Sequence, residues 1–381
     1  MRTREIVVLS KNSRSDRLWS ALPPSQFRYI SIAEVVPKFH SRVTNRLSRF
    51  ARGDSSSAIE GSIARAIIRL LPSEVGLVAL DNSITLVSAI ARLHPEIPTL
   101  MIQHGCNYFS YNQTVRVEIE NSLLLSWGQR EVAGYSLRGV RPRLIRPIGS
   151  LLSSMTKVQS GQKPQSPANV CVVSEFRSDS NLETEKYMLA RQQAWSHLLC
   201  WLGRAKQELN VDVLVALRPS AFGSGDTSDQ QKRYFTQALG FRPVFSDEQG
   251  FSNSYEAVDS STVVMGLQSG LLFEALSRGK KALFCFPKDS ESSLIPPLEG
   301  LARLELSSFS QFKQQLSQVL ELPTSDFFKS LQPEPDYFVN KQLDPTDVIR
   351  GCVQNLRSGN SIDVCFPNRS DSDSMSTSNP L

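Results

Sequence analysis

Cysteine and histidine are scarce in this chain of 381 residues, which has six cysteines and four histidines. The cysteines are scattered, at positions 106, 171, 200, 285, 352 and 365, and no two of them form a CxxC pair. Such spacing excludes both a disulfide framework and a zinc site. No uncharged apolar run reaches the ~20 residues that a membrane-spanning helix needs, and the apolar run near the N-terminus is too short for a secretory signal. These absences predict a cytoplasmic protein that contacts a membrane at its periphery at most.

The net charge of +5 is unevenly distributed along the chain. Residues 1–52 contain eleven Lys and Arg against three Asp and Glu, and residues 129–146 contain five Arg against one Glu. An excess of positive charge in the N-terminal half indicates an anionic partner. Because no recognised nucleic-acid motif accompanies this charge, we expect a lipid surface or an acidic glycan rather than a nucleic acid.

Four basic residues recur at helical spacing within the N-terminal region, and apolar residues repeat the same spacing one position further on. This pattern predicts a basic amphipathic helix. Two interpretations stay open: a surface helix that packs its apolar face on the protein core, or a helix that docks on an anionic bilayer. The basic residues are Lys38, Arg42, Arg46 and Arg49.

Short apolar segments alternate with helical ones, as at Val75–Leu80, 84–93 and Thr99–Gln103. A strand, a helix and a strand with short links are typical of a βαβ unit and therefore of a parallel sheet. The stretch from Ser150 to Pro167 is rich in Ser, Gln, Lys and Pro, as linkers are, and a second α/β series follows it. The sequence thus predicts two Rossmann-like, doubly wound parallel-sheet domains of the α/β class.

Near the C-terminus, Asp344-Pro345 predicts the start of a helix. The composition changes after that helix, and every second residue from 370 to 378 is serine. A serine-rich stretch with almost no apolar residues is expected to be disordered. The predicted boundaries are 1–155 for the N-terminal domain, 156–168 for the linker, 169–343 for the C-terminal domain, 344–358 for a C-terminal helix and 359–381 for a disordered tail.

The most informative segment places Ser269-Gly270 between a buried strand and a helix that contains Glu274. Small residues at this position let a ligand approach the backbone N–H groups at the positive end of the helix dipole, which suits a diphosphate. Glu274 follows about one turn later, near enough to reach a ribose hydroxyl. On spacing alone, an ordinary connection between a helix and a strand explains the segment equally well.

Three motifs resemble those of known proteins. Ser269-Gly-x3-Glu-Ala-Leu-x2-Gly-Lys-Lys281 is similar to the donor-site segment of GT-B glycosyltransferases and their relatives, which include non-hydrolysing nucleotide-sugar 2-epimerases and CDP-glycerol glycerophosphotransferases. Ile102-Gln-His-Gly105, paired with Leu125-Ser-Trp-Gly-Gln-Arg-Glu131, looks most like bacterial surface-carbohydrate (capsule or lipopolysaccharide O-antigen) biosynthesis proteins, and so does Val173-Ser-Glu-Phe-Arg177. The resemblance covers roughly residues 75–290. It implies a GT-B-like enzyme that moves a sugar from a nucleotide-activated donor to a surface-polysaccharide or lipid-linked acceptor across an interdomain cleft.

The resemblance implies roles for individual residues. In the C-terminal domain, the nucleotide-sugar would contact Ser269, Gly270, Glu274, Arg177, Arg218 and Ser220. The arginines are suited to hold phosphate oxygens, although surface salt bridges would explain them equally well. No cofactor beyond the donor and no metal ion is expected, because no DxD-like motif follows a strand in the second half.

On the acceptor side, the resemblance places His104-Gly105 at the cleft, and the loop with Ser10 and Lys11 nearby. A neutral imidazole accepts an acceptor hydroxyl's proton near pH 7, although a lone histidine is more often a structural residue. Asp81 is a second candidate base, and helix N-capping is the alternative role that we favour for it.

Two departures leave other functions open. The loop after the first strand lacks the glycines that many GT-B relatives carry, and Arg218-Pro219-Ser220 stands where several have His-Pro. A sugar-nucleotide 2-epimerase of the same fold is one alternative. The other is a non-catalytic carbohydrate-assembly protein that keeps the fold without the chemistry.

Overall fold

The computed structural model describes residues 4–10, 27–31, 64–65, 67–68, 71, 74–80, 84–105, 117–137, 140–156, 170–176, 186–218, 228–249, 254–288 and 296–362. Within these ranges the strands form two six-stranded sheets, and every paired strand in them runs parallel to its neighbour. The predicted α/β class with two parallel sheets is therefore confirmed. No helix among the described residues is long and apolar enough to cross a membrane.

The first sheet has the strand order β2-β1-β3-β4-β5-β6. Its strands are β1 Glu5–Ser10, β2 Phe27–Ser31, β3 Val75–Leu80, β4 Thr99–Ile102, β5 Val117–Ser126 and β6 Val140–Pro147. The helices that are described over their full length in this part of the chain are α1 Ile84–Leu93, α2 Gln129–Leu137 and α3 Leu151–Met155. All six residues of β3 are buried, because a parallel sheet is covered on both faces. This burial explains the continuous apolar run that predicted the strand.

The second sheet has the strand order β12-β11-β10-β7-β8-β9. Its strands are β7 Val170–Val173, β8 Val213–Ala216, β9 Val244–Phe245, β10 Val263–Gly266, β11 Lys281–Pro287 and β12 Arg303–Leu306. The helices are α4 Lys186–Leu209, α5 Ser228–Leu239, α6 Ser254–Asp259, α7 Gly270–Ser277, α8 Phe309–Glu321, α9 Thr324–Lys329 and α10 Pro335–Phe338, and a 3₁₀ turn spans Ser246–Gln249. Numbered within the domain, the order is 3-2-1-4-5-6, the arrangement of dinucleotide-binding Rossmann folds. From β7 the chain adds strands β8 and β9 on one side and then returns to add β10, β11 and β12 on the other side. The boundary between β7 and β10 is therefore the topological switch point of this sheet.

The last helix, α11 Pro345–Arg357, packs on the first sheet rather than on the second. Asp344 caps it, accepting a hydrogen bond from the Thr346 N–H at 2.8 Å. Its buried face joins the core that covers β1, β3, β4 and β5, and the Arg4 N–H donates to the Arg357 carbonyl at 2.8 Å. The chain therefore returns to the N-terminal domain after completing the C-terminal one.

One detail corrects the sequence-based boundaries. Although the linker-like composition starts at Ser150, residues 151–155 form helix α3, which Ser150 caps by accepting from the Ser153 N–H and which ends at the predicted limit of the N-terminal domain. Ile362, which we placed in the tail, is buried in the core of the first domain. Residues 157–169 and 363–381 lie outside the described residues, so the linker and the remaining tail stay predictions.

Apolar contacts join the two domains at the carboxyl end of β5. Trp127 follows that strand and is buried in the core of the C-terminal domain together with Phe338. Phe338 in turn packs on Phe273 of α7, with 4.8 Å between the ring centroids. Gly128 is required here, since a Cβ at this position would overlap the backbone of Phe338. The carboxyl edge of the first sheet therefore lies against α7 and α10.

Candidate functional site

The candidate site lies at the carboxyl ends of β7 and β10, where the strand order of the second sheet reverses. Open α/β sheets bind their ligands in the crevice at this switch point. Ser174-Glu175-Phe176 follows β7, and Leu267-Gln268-Ser269 follows β10 and leads into α7. Polar side chains fix both segments.

Glu175 joins the two segments. Its Oε1 accepts hydrogen bonds from the backbone N–H groups of Leu267, at 3.0 Å, and Gln268, at 2.7 Å. Its Oε2 accepts from Arg191 Nη2 of α4 at 2.5 Å. The carboxylate therefore holds the turn before α7 in place, and the arginine balances its charge beside the predicted phosphate position. We did not single out either residue from the sequence, although Glu175 is the first charged residue after a buried strand.

Ser269 and Gly270 lie at the N-terminus of α7, as the sequence predicts. Ser269 is the N-cap residue, and its Oγ accepts from the Leu271 N–H at 3.3 Å. Both Ser269 and Gly270 are partly exposed. The first N–H groups of a helix have no acceptor within the helix, so this turn combines a structural cap with the positive end of a helix dipole.

Arg218 lies two residues after the end of β8, beside the switch point. It is partly exposed, and its Nη1 donates to the Phe176 carbonyl at 3.5 Å. Its own backbone is bound on both sides by the side-chain amide of Gln231 from α5. The structure thus brings Arg218 to the same sheet edge as the segment that leads into α7.

Glu274 lies in the contact between the two domains. It is 4% exposed, and its Oε1 accepts from Ser150 Oγ of the N-terminal domain and from Tyr255 Oη, the latter at 2.8 Å. Burial raises the pKa of this carboxyl to about 7, against the smaller lowering by the two hydroxyl donors. The ribose contact predicted for Glu274 stays a prediction; the structure adds two protein partners that the sequence did not reveal.

Arg278 forms a second contact between the domains. Its Nη1 donates to the Ser153 carbonyl at 2.8 Å and its Nη2 to the Thr156 carbonyl at 2.9 Å, at the end of α3. Its Nε donates to Asp259 Oδ1 at 2.8 Å, and Nη2 also contacts that carboxylate. One guanidinium therefore links α6 and α7 to the N-terminal domain.

A groove of about 570 Å³ opens beside Arg278, lined by α3 and by residues 339–345. It lies at the C-terminal end of α7, an eight-residue helix about 12 Å long. Ser269 lies at the other end of that helix. The groove is therefore separate from the candidate site at the switch point.

His104 lies in a turn that hydrogen bonds from the side chain of the preceding residue, Gln103, hold in place. Gln103 is buried; its Nε2 donates to the Gly105 carbonyl at 2.9 Å, and its Oε1 accepts from the Trp127 N–H at 2.7 Å. His104 and Gly105 are partly exposed, and apart from the chain neighbours no described residue lies within 4 Å of the position that a Cβ on Gly105 would take. Gln103 thus holds this turn at the sheet edge that faces the C-terminal domain.

The remaining predicted site residues lie either at the end of β1 or outside the described residues. Ser10 is the last residue of β1, where its backbone pairs with Ser31. Among the described residues, no group of three or more His, Cys, Asp and Glu side chains is arranged to hold a metal ion. The predicted residues that lie outside the described ranges are Lys11, Lys38, Arg42, Arg46, Arg49, Asp81, Arg177 and Ser220.

The sequence matches no protein-family model and no curated protein. Solved structures do resemble the fold. An α,α-trehalose-phosphate synthase (UDP-forming) from Burkholderia vietnamiensis aligns with a TM-score of 0.51 at 12% identity, over 93% of this chain and 100% of that one. A protein from Listeria monocytogenes assigned as a UDP-N-acetylglucosamine 2-epimerase aligns with a TM-score of 0.53 at 10% identity, over 93% of this chain and 96% of that one. At this identity the likeness shows the fold alone, and it agrees with the GT-B-like architecture expected from the motifs.

Proposed function

We propose that the chain is a glycosyltransferase that moves a sugar from a nucleotide-activated donor to a surface-polysaccharide or lipid-linked acceptor. The observation that carries this proposal is the switch point of the second sheet, where the N-terminus of α7 and Arg218 lie at one sheet edge. This arrangement suits a diphosphate. The two-domain fold, shared with a UDP-forming synthase, supports it.

In the proposed reaction, His104 accepts the proton of the acceptor hydroxyl while that oxygen bonds to the anomeric carbon of the donor sugar. The bond between this carbon and the nucleoside diphosphate breaks, and the leaving group takes the electron pair. The N–H groups at Ser269-Gly270 and the guanidinium of Arg218 stabilise the charge that develops on the leaving phosphate. Arg177 and Ser220 are proposed to lie beside them, and no metal ion takes part.

Calorimetry against UDP-, GDP-, CDP- and CMP-linked sugars tests the donor site. We expect saturable binding of one nucleotide class and a loss of roughly tenfold or more in Arg218→Ala, the range for charge-assisted hydrogen bonds. The histidine is tested separately: His104→Ala should bind the donor but abolish transfer. His94→Ala is the matched control, since His94 pairs with Glu96 at the end of α1 and should leave transfer unchanged. If the wild-type protein binds none of the four ligand classes, the proposal is wrong.

A 2-epimerase is the second candidate, favoured by the likeness to the Listeria monocytogenes protein. Such an enzyme needs no acceptor, so incubation with UDP-sugars alone should give an isomeric product by NMR. A transferase converts the donor only when an acceptor is present. Binding without either turnover would instead support a carbohydrate-assembly protein.

A further inference from the structure

The residues immediately after β8 are held by side chains from several different elements. Leu217 N–H donates to Ser246 Oγ of the 3₁₀ turn at 3.1 Å, and Ser254 Oγ of α6 donates to the Leu217 carbonyl at 3.1 Å. The next residue, Arg218, is bound through both of its backbone groups by Gln231. A strand end is thus fixed beyond the point where sheet hydrogen bonds stop.

Gln231 supplies the largest share of these contacts. It lies on α5, and it is 2% exposed. Its Oε1 accepts from the Arg218 N–H at 3.0 Å and from Ser174 Oγ at 2.8 Å, and its Nε2 donates to the Arg218 carbonyl at 2.9 Å. One buried amide therefore ties the end of β8 to the end of β7, the strand at the switch point.

We infer that Gln231 is a positioning residue, which fixes the backbone of Arg218 so that its guanidinium is presented to the phosphates of the nucleotide at the switch point. The inference rests on the proposed donor site. Its physical basis is preorganisation, since a cation whose backbone is already ordered loses less conformational freedom when it binds an anion.

The hydrogen bonds of Gln231 distinguish a role in positioning Arg218 from simple packing in the core. A leucine at 231 would fill a similar volume but would leave the Arg218 N–H and carbonyl without their amide partner. Buried backbone groups without partners favour rearrangement, so we expect the turn at Arg218 to loosen. The hydroxyl of Ser174, at the end of β7, would lose its acceptor as well, but the other contacts at the end of β7 would be unchanged.

The test measures binding of UDP, GDP and CDP, each beside its own nucleoside without phosphates. For the diphosphate that the wild-type protein binds, Gln231→Leu should weaken affinity about tenfold, whereas the nucleoside should bind with unchanged affinity. The matched control is Gln237→Leu, the same change at an exposed position of α5, which should bind both as the wild type does. A merely structural role would lower the active fraction or weaken both ligands alike.

A double-mutant cycle links the effect to Arg218. Arg218→Ala combined with Gln231→Leu should bind the diphosphate no more weakly than Arg218→Ala alone. Hydrogen exchange should also quicken at the Arg218 amide in Gln231→Leu. If that variant is poorly folded, Ser174→Ala removes one hydrogen bond of the same amide, together with the one that Ser174 Oγ accepts from the Phe176 N–H at 3.4 Å, and should weaken diphosphate binding two- to threefold.

The outcomes distinguish the two proposals. A wild-type protein that binds no nucleotide contradicts the proposed function and this inference with it. Wild-type binding that Gln231→Leu leaves intact overturns the role of Gln231 alone. Losses that multiply in the double variant overturn it as well, because the amide would then act independently of Arg218.

Discussion

The carboxyl of Glu274 makes the stability of the protein depend on pH in a way that a single substitution isolates. Its side chain is 4% exposed and accepts from Ser150 and Tyr255. Burial raises its pKa from an ordinary 4.5 to about 7. Glu274→Gln keeps an acceptor oxygen for both hydroxyls but never ionises. The comparison with the wild-type protein therefore measures the cost of the buried charge.

The sign follows from the proton balance. Below pH 4.5 the carboxyl is protonated in the folded and the unfolded chain, so burial of this group carries no charge penalty. Between pH 4.5 and 7 the unfolded chain ionises first, and the wild-type protein loses stability as the pH rises. Above pH 7 the folded protein carries the charge too, and the loss is complete. The difference in pKa corresponds to roughly 3 kcal/mol.

Urea unfolding of the wild-type protein and Glu274→Gln at several pH values from 5 to 8 checks this prediction. The variant should be similar in stability to the wild type near pH 5 and more stable by up to about 3 kcal/mol at pH 8. Glu305→Gln, a change at an exposed position of β12, controls for the removal of one negative charge. A stability difference that is the same at pH 5 and pH 8, or a variant that is less stable at pH 8, would refute the reasoning.

Four further predictions concern the domain contact, helix α11 and the membrane. Gly128→Ala should destabilise the protein by about 2 kcal/mol in urea unfolding, because overpacking against a fixed backbone is costly. Gly351→Ala, in α11 where no described residue outside the local helix backbone lies within 4 Å of the added Cβ, should instead stabilise by about 0.8 kcal/mol through helix propensity. Arg278→Ala should destabilise by about 3 kcal/mol, because Asp259 would be left as a nearly buried charge without its partner; an unchanged unfolding midpoint would contradict this. If the predicted basic amphipathic helix docks on anionic lipid, each of its basic residues contributes about 1 kcal/mol to the free energy of membrane binding. Replacing Arg42, Arg46 and Arg49 with glutamine should then weaken binding to anionic liposomes, measured by co-sedimentation across a salt series. Wild-type protein that ignores such vesicles at low salt would contradict the docking.

The strands that carry the fold could be predicted because their sequences are apolar over their whole length. Val75–Leu80 and Val170–Val173 are buried on both faces of their sheets, and burial of this kind requires an uninterrupted apolar run. The helix start at Asp344 was predictable for a local reason as well, since a capping side chain and the residue that follows it are adjacent in sequence. The edge strand Phe27–Ser31 has a more polar sequence and gave no such signal.

The position of the last helix was not predictable in the same way. The apolar face of α11 shows that the helix is covered, and the spacing of Ile349, Cys352, Val353 and Leu356 fits that face. The pattern does not identify which of two sheets covers it. That choice is made by packing between residues more than 200 positions apart, which leave no periodic signal in either segment.

The candidate site likewise combines residues that a local sequence pattern predicts with residues whose roles depend on non-local contacts. Ser269 and Gly270 could be predicted because a helix N-terminus after a buried strand is a local pattern. Glu175 and Gln231 could not, because each acts on backbone groups of a distant segment: Glu175 on the turn before α7, and Gln231 on the turn after β8. Such contacts depend on strand order, and strand order in a doubly wound sheet is fixed by non-local pairing. A polar residue that follows a buried strand, as Glu175 and Gln103 do, is therefore the sequence signal to examine first, since its side chain begins at the edge where the segments of the sheet meet.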